Sequence, residues 1–341
     1  MTSPAILIRA QQPASLAPPR PVGVIKEEMT SLLVAAAMMP VASQSELYTV
    51  QPYYTYPSDQ PYHAAYVKAI EKAVVEVQEW YRKQVGTTFV MKPLIVRKGQ
   101  PYLIMRGGPS PSEKVRLNKQ ELPNWWQAQE QTVGGWKPRT VTWIFAQGGG
   151  GFAAANLIGE WSGIGMFGDW VLEPISGVRE PAAITADLAT WQVKGGVPMG
   201  TIVHELGHAF GLHHPDRYEG KSIMKWHGDY PDTVLLPHEV MILRHSPFFV
   251  KNAYDEQGPW LDFENKDVMN WGERVVLRGK RFRKGVRVEF MDVSRSLVLE
   301  PEVLSEAELR VEVPRDLGPG FIRVLDGKLR SNIVPVNFYK P

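Results

Sequence analysis

The sequence predicts an α+β domain over residues 46–254, a twisted mixed sheet with two principal helices, followed by an all-β sandwich over residues 255–341. Three observations lead there. Apolar residues recur every three or four positions in 62–86, alternate in the runs at 87–98 and 139–147, and alternate again in short runs separated by turn residues from about residue 255 onward.

Residues 46–61, rich in tyrosine and proline, read as an extended lead-in. A helix follows, because Val67, Ile70, Val74, Val77 and Tyr81 form one apolar stripe, with Gly86 placed to cap its end. TTFVMKPLIVRK predicts the first strand. After a tryptophan-rich segment, PNWWQAQEQTVGGW, that reads as a polar loop, RTVTWIFAQ predicts a central strand. The run Gly148–Gly151 lacks the Gly-Lys-Ser/Thr that a phosphate-binding loop requires, so it reads as a flexible loop beside a cleft. GIGMFGDWVLEP predicts a further strand, and LLPHEVMILRHS a helix from the spacing of Leu236, Val240 and Leu243. RVVLRG, GVRVEFMD, ELRVEVP, GFIRVLDG and NIVPVNFY then predict the strands of the sandwich. The cluster Arg278, Lys280, Arg281, Arg283 and Lys284 falls on a strand end and turn, and reads as a solvated face.

Composition narrows the function. A net charge of +2 over 341 residues gives no global field for nucleic acid. The absence of cysteine excludes disulfides, thiolate ligands and a cysteine nucleophile, so a transition-metal site has to be built from histidine and carboxylate. Residues 1–45 form a leader: basic side chains precede the apolar run SLLVAAAMM, and Val41 and Ser43 have the spacing of a signal cleavage site ahead of Gln44. Glu27 and Glu28 make that leader atypical. No later stretch approaches the roughly 20 apolar residues of a membrane span, so no transmembrane segment is expected in the mature chain.

The segment HELGHAFGLHH, residues 204–214, holds four of the eight histidines. On a helix His204 and His208 share a face and can chelate one ion. Gly211 can take the positive φ that ends the helix, which swings His214 back to the same ion. Three imidazoles with an open fourth position describe a catalytic rather than a structural zinc. Glu205, about 100° around the helix from His204, is placed to act as general base on a zinc-activated water attacking a carbonyl carbon. His213 is adjacent to the third ligand and points elsewhere. Asp216 is a candidate to orient a ligand or to cap the next turn. His227, His238 and His245 show no ligand spacing.

At these residues the chain resembles the metzincin clan of zinc endopeptidases, whose H-E-x-x-H-x-x-G-x-x-H pattern is filled by His204, Glu205, His208, Gly211 and His214. The resemblance implies that Met224, in SIM ten residues after His214, is the methionine of the turn beneath the metal. It also implies a metzincin-like sheet with an active-site helix and a C-terminal helix. Pro215 is similar to the serralysins, but Trp226 replaces their tyrosine and their glycine-rich calcium repeats are missing. The last 80-odd residues resemble the IPT/TIG immunoglobulin-like domain.

The expected function is therefore zinc-dependent hydrolysis of peptide bonds, with one catalytic Zn²⁺ on His204, His208 and His214. A structural Ca²⁺ has no readable signature. The expected partners are a protein or peptide substrate and, through the C-terminal domain, an extracellular protein or glycan; nucleic acid is not expected. The expected address is secreted or cell envelope. Two alternatives stand beside this reading: an inactive protease-like binding or adhesion protein, and a zinc hydrolase of a non-protein amide or cell-wall peptide. Because every assigned residue precedes position 225, a chain ending near Asn252 is expected to fold and cleave small peptides by itself.

Overall fold

The computed structural model describes residues 46–105, 121–150, 153–178, 197–215 and 220–340. The leader, with Val41, Ser43 and Gln44, lies outside the described residues, as does Asp216.

Thr49–Tyr56 (β1) is a full strand where the sequence pattern suggested only a lead-in. It is buried on both faces, Val50 and Tyr54 in one core cluster and Tyr53 in another, so the period-two signal is lost. Pro52 also argues against a strand, yet its missing N–H costs nothing here. It faces the gap between β2 (Val90–Met91) and β3 (Ile95–Lys98), two short parallel neighbours of β1. On the other side β1 pairs in parallel with β4 (Thr140–Ala146), and β4 with β6 (Ser162–Phe167). The edge strand β5 (Ala153–Ile158) runs antiparallel to β6, giving the order β2-β1-β4-β6-β5. The central position expected for RTVTWIFAQ is that of β4.

Helix α1 (Ala64–Val85) buries Ile70, Val74, Val77 and Tyr81 and stops at Gly86 with φ 84°. After a short α2 (Tyr102–Met105), the tryptophan-rich segment is helix rather than loop: α3 (Glu121–Val133) buries Trp125, Ala128, Gln129 and Val133 along one stripe. Polar residues dilute that stripe, and Pro123 falls in the first turn, where its missing N–H has no helical partner to lose. The predicted strand GIGMFGDWVLEP ends at Phe167. A short helix α4 (Asp169–Ser176) follows, with Pro174 inside it. Helix α5 (Val197–Ala209) carries the histidine motif, and α6 (Pro237–Leu243) follows the turn beyond it. Among the described residues no helix is long and apolar enough to cross a membrane.

Around α5 the main core is aromatic. Ile202, Val203, Leu206 and Phe210 are buried, and Phe210 meets Tyr81, Phe248 and Phe249 at ring distances of 5.6, 5.1 and 5.0 Å. Each such side chain stabilises by roughly 1.5–3 kcal/mol, which holds the motif helix against the sheet.

The C-terminal region is β-rich. One sheet is ordered β11-β10-β14-β16-β8, with β15 beside β14, and the other β12-β13-β9-β7. Their strands are β7 (Trp260–Leu261), β8 (Val268–Asn270), β9 (Arg274–Lys280), β10 (Arg287–Asp292), β11 (Ser296–Leu299), β12 (Glu302–Ser305), β13 (Glu308–Glu312), β14 (Gly320–Asp326), β15 (Leu329–Arg330) and β16 (Val334–Tyr339). Leu277 and Leu309 from one sheet and Phe290, Ile322 and Phe338 from the other enclose a single core. All five predicted runs are strands. In the basic cluster, Arg278 pairs with Glu308 and Arg283 with Asp326, while Arg281 donates to the carbonyls of Gly258 and Glu256.

This region does not stand apart from the first. Phe321 and Ile333, with Tyr254 at the junction, belong to the core cluster of the α+β part, and Phe263 meets Trp161 at 4.9 Å. The hydroxyls of Tyr48 and Tyr254 share a hydrogen bond of 2.5 Å, and Arg139 pairs with Glu256 at 3.0 Å. A chain ending near Asn252 would lack the Tyr254, Phe321 and Ile333 side chains of this core.

Candidate metal centre

The end of α5 explains how a third histidine reaches the first two. Gly211 adopts φ 95°, its N–H donates to the His208 carbonyl, and the Leu212 N–H reaches back to the Gly207 carbonyl. This paired bonding is a Schellman stop, which reverses the chain within one residue. Gly207 serves packing instead. A Cβ there would lie 2.3 Å from Met224 Sδ, so the bare backbone admits the methionine beneath the helix.

The structure brings the Nε2 atoms of His204, His208 and His214 together, 3.1, 3.0 and 3.3 Å apart. These contacts are not hydrogen bonds between the rings. Nδ1 of His204 donates to the Ile223 carbonyl and Nδ1 of His208 to the Leu212 carbonyl, each at 2.7 Å, so the proton of each neutral ring is on Nδ1. Burial, reinforced by neighbouring histidines, lowers both rings below the ordinary range, His208 to about 3, so both are neutral at pH 7. The Nε2 lone pairs of His204 and His208 therefore face the point where the His214 Nε2 also lies. A tetrahedral ion with metal–nitrogen distances of about 2.0–2.1 Å sets its nitrogen ligands about 3.3 Å apart, so the triad fits a transition-metal ion with a fourth position open. His213 points away from this triad.

Beneath it, Met224 is buried in the turn after Ser222. The Met224 N–H donates to Ser222 Oγ, and that hydroxyl donates to Glu239 Oε1 on α6 at 2.7 Å; Glu239 Oε2 accepts the Leu236 N–H. Glu239 is thus a buried strut for the turn whose Ile223 carbonyl orients His204. Sequence reasoning missed it, since only its place in the helix, not its inward direction, can be read from spacing.

Burial pushes the Glu239 carboxyl from its ordinary 4.5 up to about 7, against the hydrogen bonds from Ser222 and Leu236. A carboxyl raised in the fold binds its proton more tightly there than in the unfolded chain. Its contribution to stability is full below about pH 4.5 and is lost as pH rises through about 7. Glutamine can serve the same two partners by accepting from Leu236 and donating to Ser222. The metal-free Glu239→Gln variant is therefore expected to gain on the wild type by on the order of 3 kcal/mol between pH 4.5 and 8. Urea unfolding of both proteins across that range checks this, and a difference that does not change with pH would refute it.

Glu205 is half-buried between α5 and the sheet edge, where its carboxylate accepts the Ala155 N–H of β5. Burial raises it to about 8; a cation on the imidazoles acts in the opposite direction. His227 is a further residue that spacing did not single out. Its ring lies 5.2 Å from that of His204 and stacks on the exposed Trp226 at 5.1 Å, so it rims the site. His238 and His245 lie on or just after α6.

The glycine run is better fastened than its composition suggests. The Asp169 carboxylate accepts the N–H groups of Gly148 and Gly150, both at 2.9 Å. Gly151 lies outside the described residues.

No family model matches the chain, and no curated protein matches it. Among solved structures it is similar to catalytically inactive OgpA from Akkermansia muciniphila in complex with an O-glycopeptide (glycodrosocin) substrate. Identity there is 15%, with a TM-score of 0.44 over 85% of this chain and 91% of that one. Wild-type OgpA gives 16% identity and a TM-score of 0.40 over 85% of this chain and 92% of that one. A DUF4784 family protein from Bacteroides caccae gives 13% and 0.19 over 25% and 24%.

Proposed function

We propose that the protein is a zinc-dependent endopeptidase, on the convergence of the Nε2 atoms of His204, His208 and His214 beside the Glu205 carboxylate. His204, His208 and His214 would hold the ion. Bound zinc would supply Lewis acidity toward a peptide carbonyl and lower the pKa of a water from 15.7 to about 7. Glu205 takes the proton as the water attacks the carbonyl carbon and returns it to the leaving amine. Among the described residues β5 has a strand neighbour on one side only, so its outer edge can receive an extended peptide as an added strand. Met224 forms the apolar floor.

On the resemblance of LRGKRF, VRVEF and the closing run VPRDLGPGFIRVLDGKLRSNIVPVNFY, we assign the β-rich region to the IPT/TIG immunoglobulin-like type. The leader pattern supports a secreted or envelope address; intact Met1 on a cytoplasmic product would remove it.

The test is cleavage of a proteome-derived peptide library and of an O-glycopeptide by zinc-loaded protein, with Glu205→Ala as control. No cleavage by fully loaded wild type would favour the binding-protein alternative. His214→Ala is expected to bind zinc more than about 100-fold more weakly, exceeding the loss seen when a ligand's hydrogen-bond partner is removed. His213→Ala should keep one zinc per chain. Metal analysis and chelator competition decide, and the reverse pattern would make His213 the third ligand.

A further inference from the structure

The segment after Gly211 carries the third imidazole, yet it belongs to no helix or strand. Its partners come from the far end of the chain. Asn337 on β16 is buried, and its Nδ2 donates to the His214 carbonyl at 3.3 Å. The His213 ring donates to the Pro335 carbonyl, and its Nδ1 lies 4.0 Å from the Asp267 carboxylate. The Pro335 ring closes over the helix stop, where a Cβ on Gly211 would lie 3.8 Å from its Cγ. Asn337 and Asp267 are themselves joined, since the Asn337 N–H donates to the Asp267 carbonyl at 2.8 Å as β16 pairs with β8. The same strand end walls a cavity of about 90 Å³ that runs beside His208 between β5 and Val334–Pro335.

We infer that the β8–β16 end of the sandwich is a structural part of the metal centre, with Asn337 the positioning residue for His214. The inference rests on the metal-binding reading of the triad. Two of the three imidazoles sit on a helix and are oriented by carbonyls of their own domain. The third is carried on a short segment outside helix and strand, and such a segment keeps its geometry where other groups hold it. A bond from the buried Asn337 to the carbonyl of the ligand residue fixes that residue's peptide plane, while Asp267 and Pro335 hold the neighbouring ring and so limit rotation of the pair. Asn337 touches neither substrate nor metal; it acts through His214.

The test is zinc affinity of the full-length chain by chelator competition, with no turnover required. Asn337→Ala is expected to weaken zinc binding about 10- to 100-fold, in the range found when the hydrogen-bond partner of a ligand is removed. Asn337→Asp, equal in size but unable to donate, should behave the same way. Asp267→Asn, a change at an exposed side chain that cannot impair folding much, should weaken zinc in the same direction by less. Leu309→Ala is the control for general damage, because it opens the core from the opposite sheet; it should lower the melting temperature and leave the affinity of the folded protein within about twofold. On a short peptide, Asn337→Ala measured at saturating zinc should lose more in kcat than it gains in KM.

Wild-type zinc affinity in both Asn337 variants would overturn the inference while leaving the endopeptidase reading intact, as would a Leu309→Ala loss equal to that of Asn337→Ala. Should Asn337→Ala fail to fold, Asn337→Asp and Asp267→Asn decide. Absence of zinc from the wild type would remove both readings together.

Discussion

Replacing Glu205 with glutamine is expected to lower kcat/KM on a peptide substrate by about 10²- to 10⁴-fold, with zinc still bound one per chain. Glutamine has the same length and can still accept the Ala155 N–H through its carbonyl oxygen. What it loses is the ability to take a proton at the moment of attack and return it to the amine. The loss should therefore appear in kcat, with KM changed little, since a group acting only in the transition state contributes little to ground-state binding. Zinc content and the melting temperature of the variant serve as controls. A fall of less than about tenfold, with metal and fold intact, would assign the proton transfers to another group.

A chain ending at Asn252 is expected to lose stable folding altogether. The cut removes Tyr254, Phe321 and Ile333 from the main core and Phe263 from its flank, and it uncovers Trp161, now 1% exposed, by taking away the Tyr254 and Phe263 rings beside it. At about 1.5–3 kcal/mol per large apolar side chain, four such removals cost roughly 6–12 kcal/mol, against a total stability of about 5–15 kcal/mol for an ordinary domain. The bonds from Asn337 and Pro335 to the histidine segment go as well. Circular dichroism melting of the truncated and full chains provides the check. A cooperative melt of the truncated chain within about 5 °C of the full one would show that the two parts are independent after all.

How much of this was legible before any coordinates depended on whether the signal was local. The geometry of the triad rests on one helix turn and one glycine stop, both encoded within eleven residues, so the spacing of His204, His208, Gly211 and His214 carries it. Helix α1 was readable because one face is wet. Strand β1 was not, because both its faces are buried, and α3 was obscured because its buried stripe includes Gln129. Glu239 and Asn337 reach the site across 15 and 123 residues from Met224 and His214, and no periodicity records such a contact. The division into two halves rests on strand texture alone. A change in strand texture marks where the chain alters its architecture, but cores fuse through side chains such as Tyr254 and Phe321 that follow either pattern equally well.

The glycine run after β4 has a consequence for anyone seeking a hardier version of the molecule. Replacing loop glycines by alanine usually adds about 0.4–1 kcal/mol by making the denatured chain less floppy. Here that strategy runs backwards. An alanine methyl at Gly149 would sit 2.7 Å from the Gly168 backbone and 2.9 Å from the Ala146 carbonyl, and Gly148 and Gly150 hold φ values of 82° and 59°. With Asp169 holding Gly148 and Gly150, this stretch is a seam between two backbones. Its glycines are spacers set by contact distance, and heat tolerance has to be sought where backbone does not meet backbone.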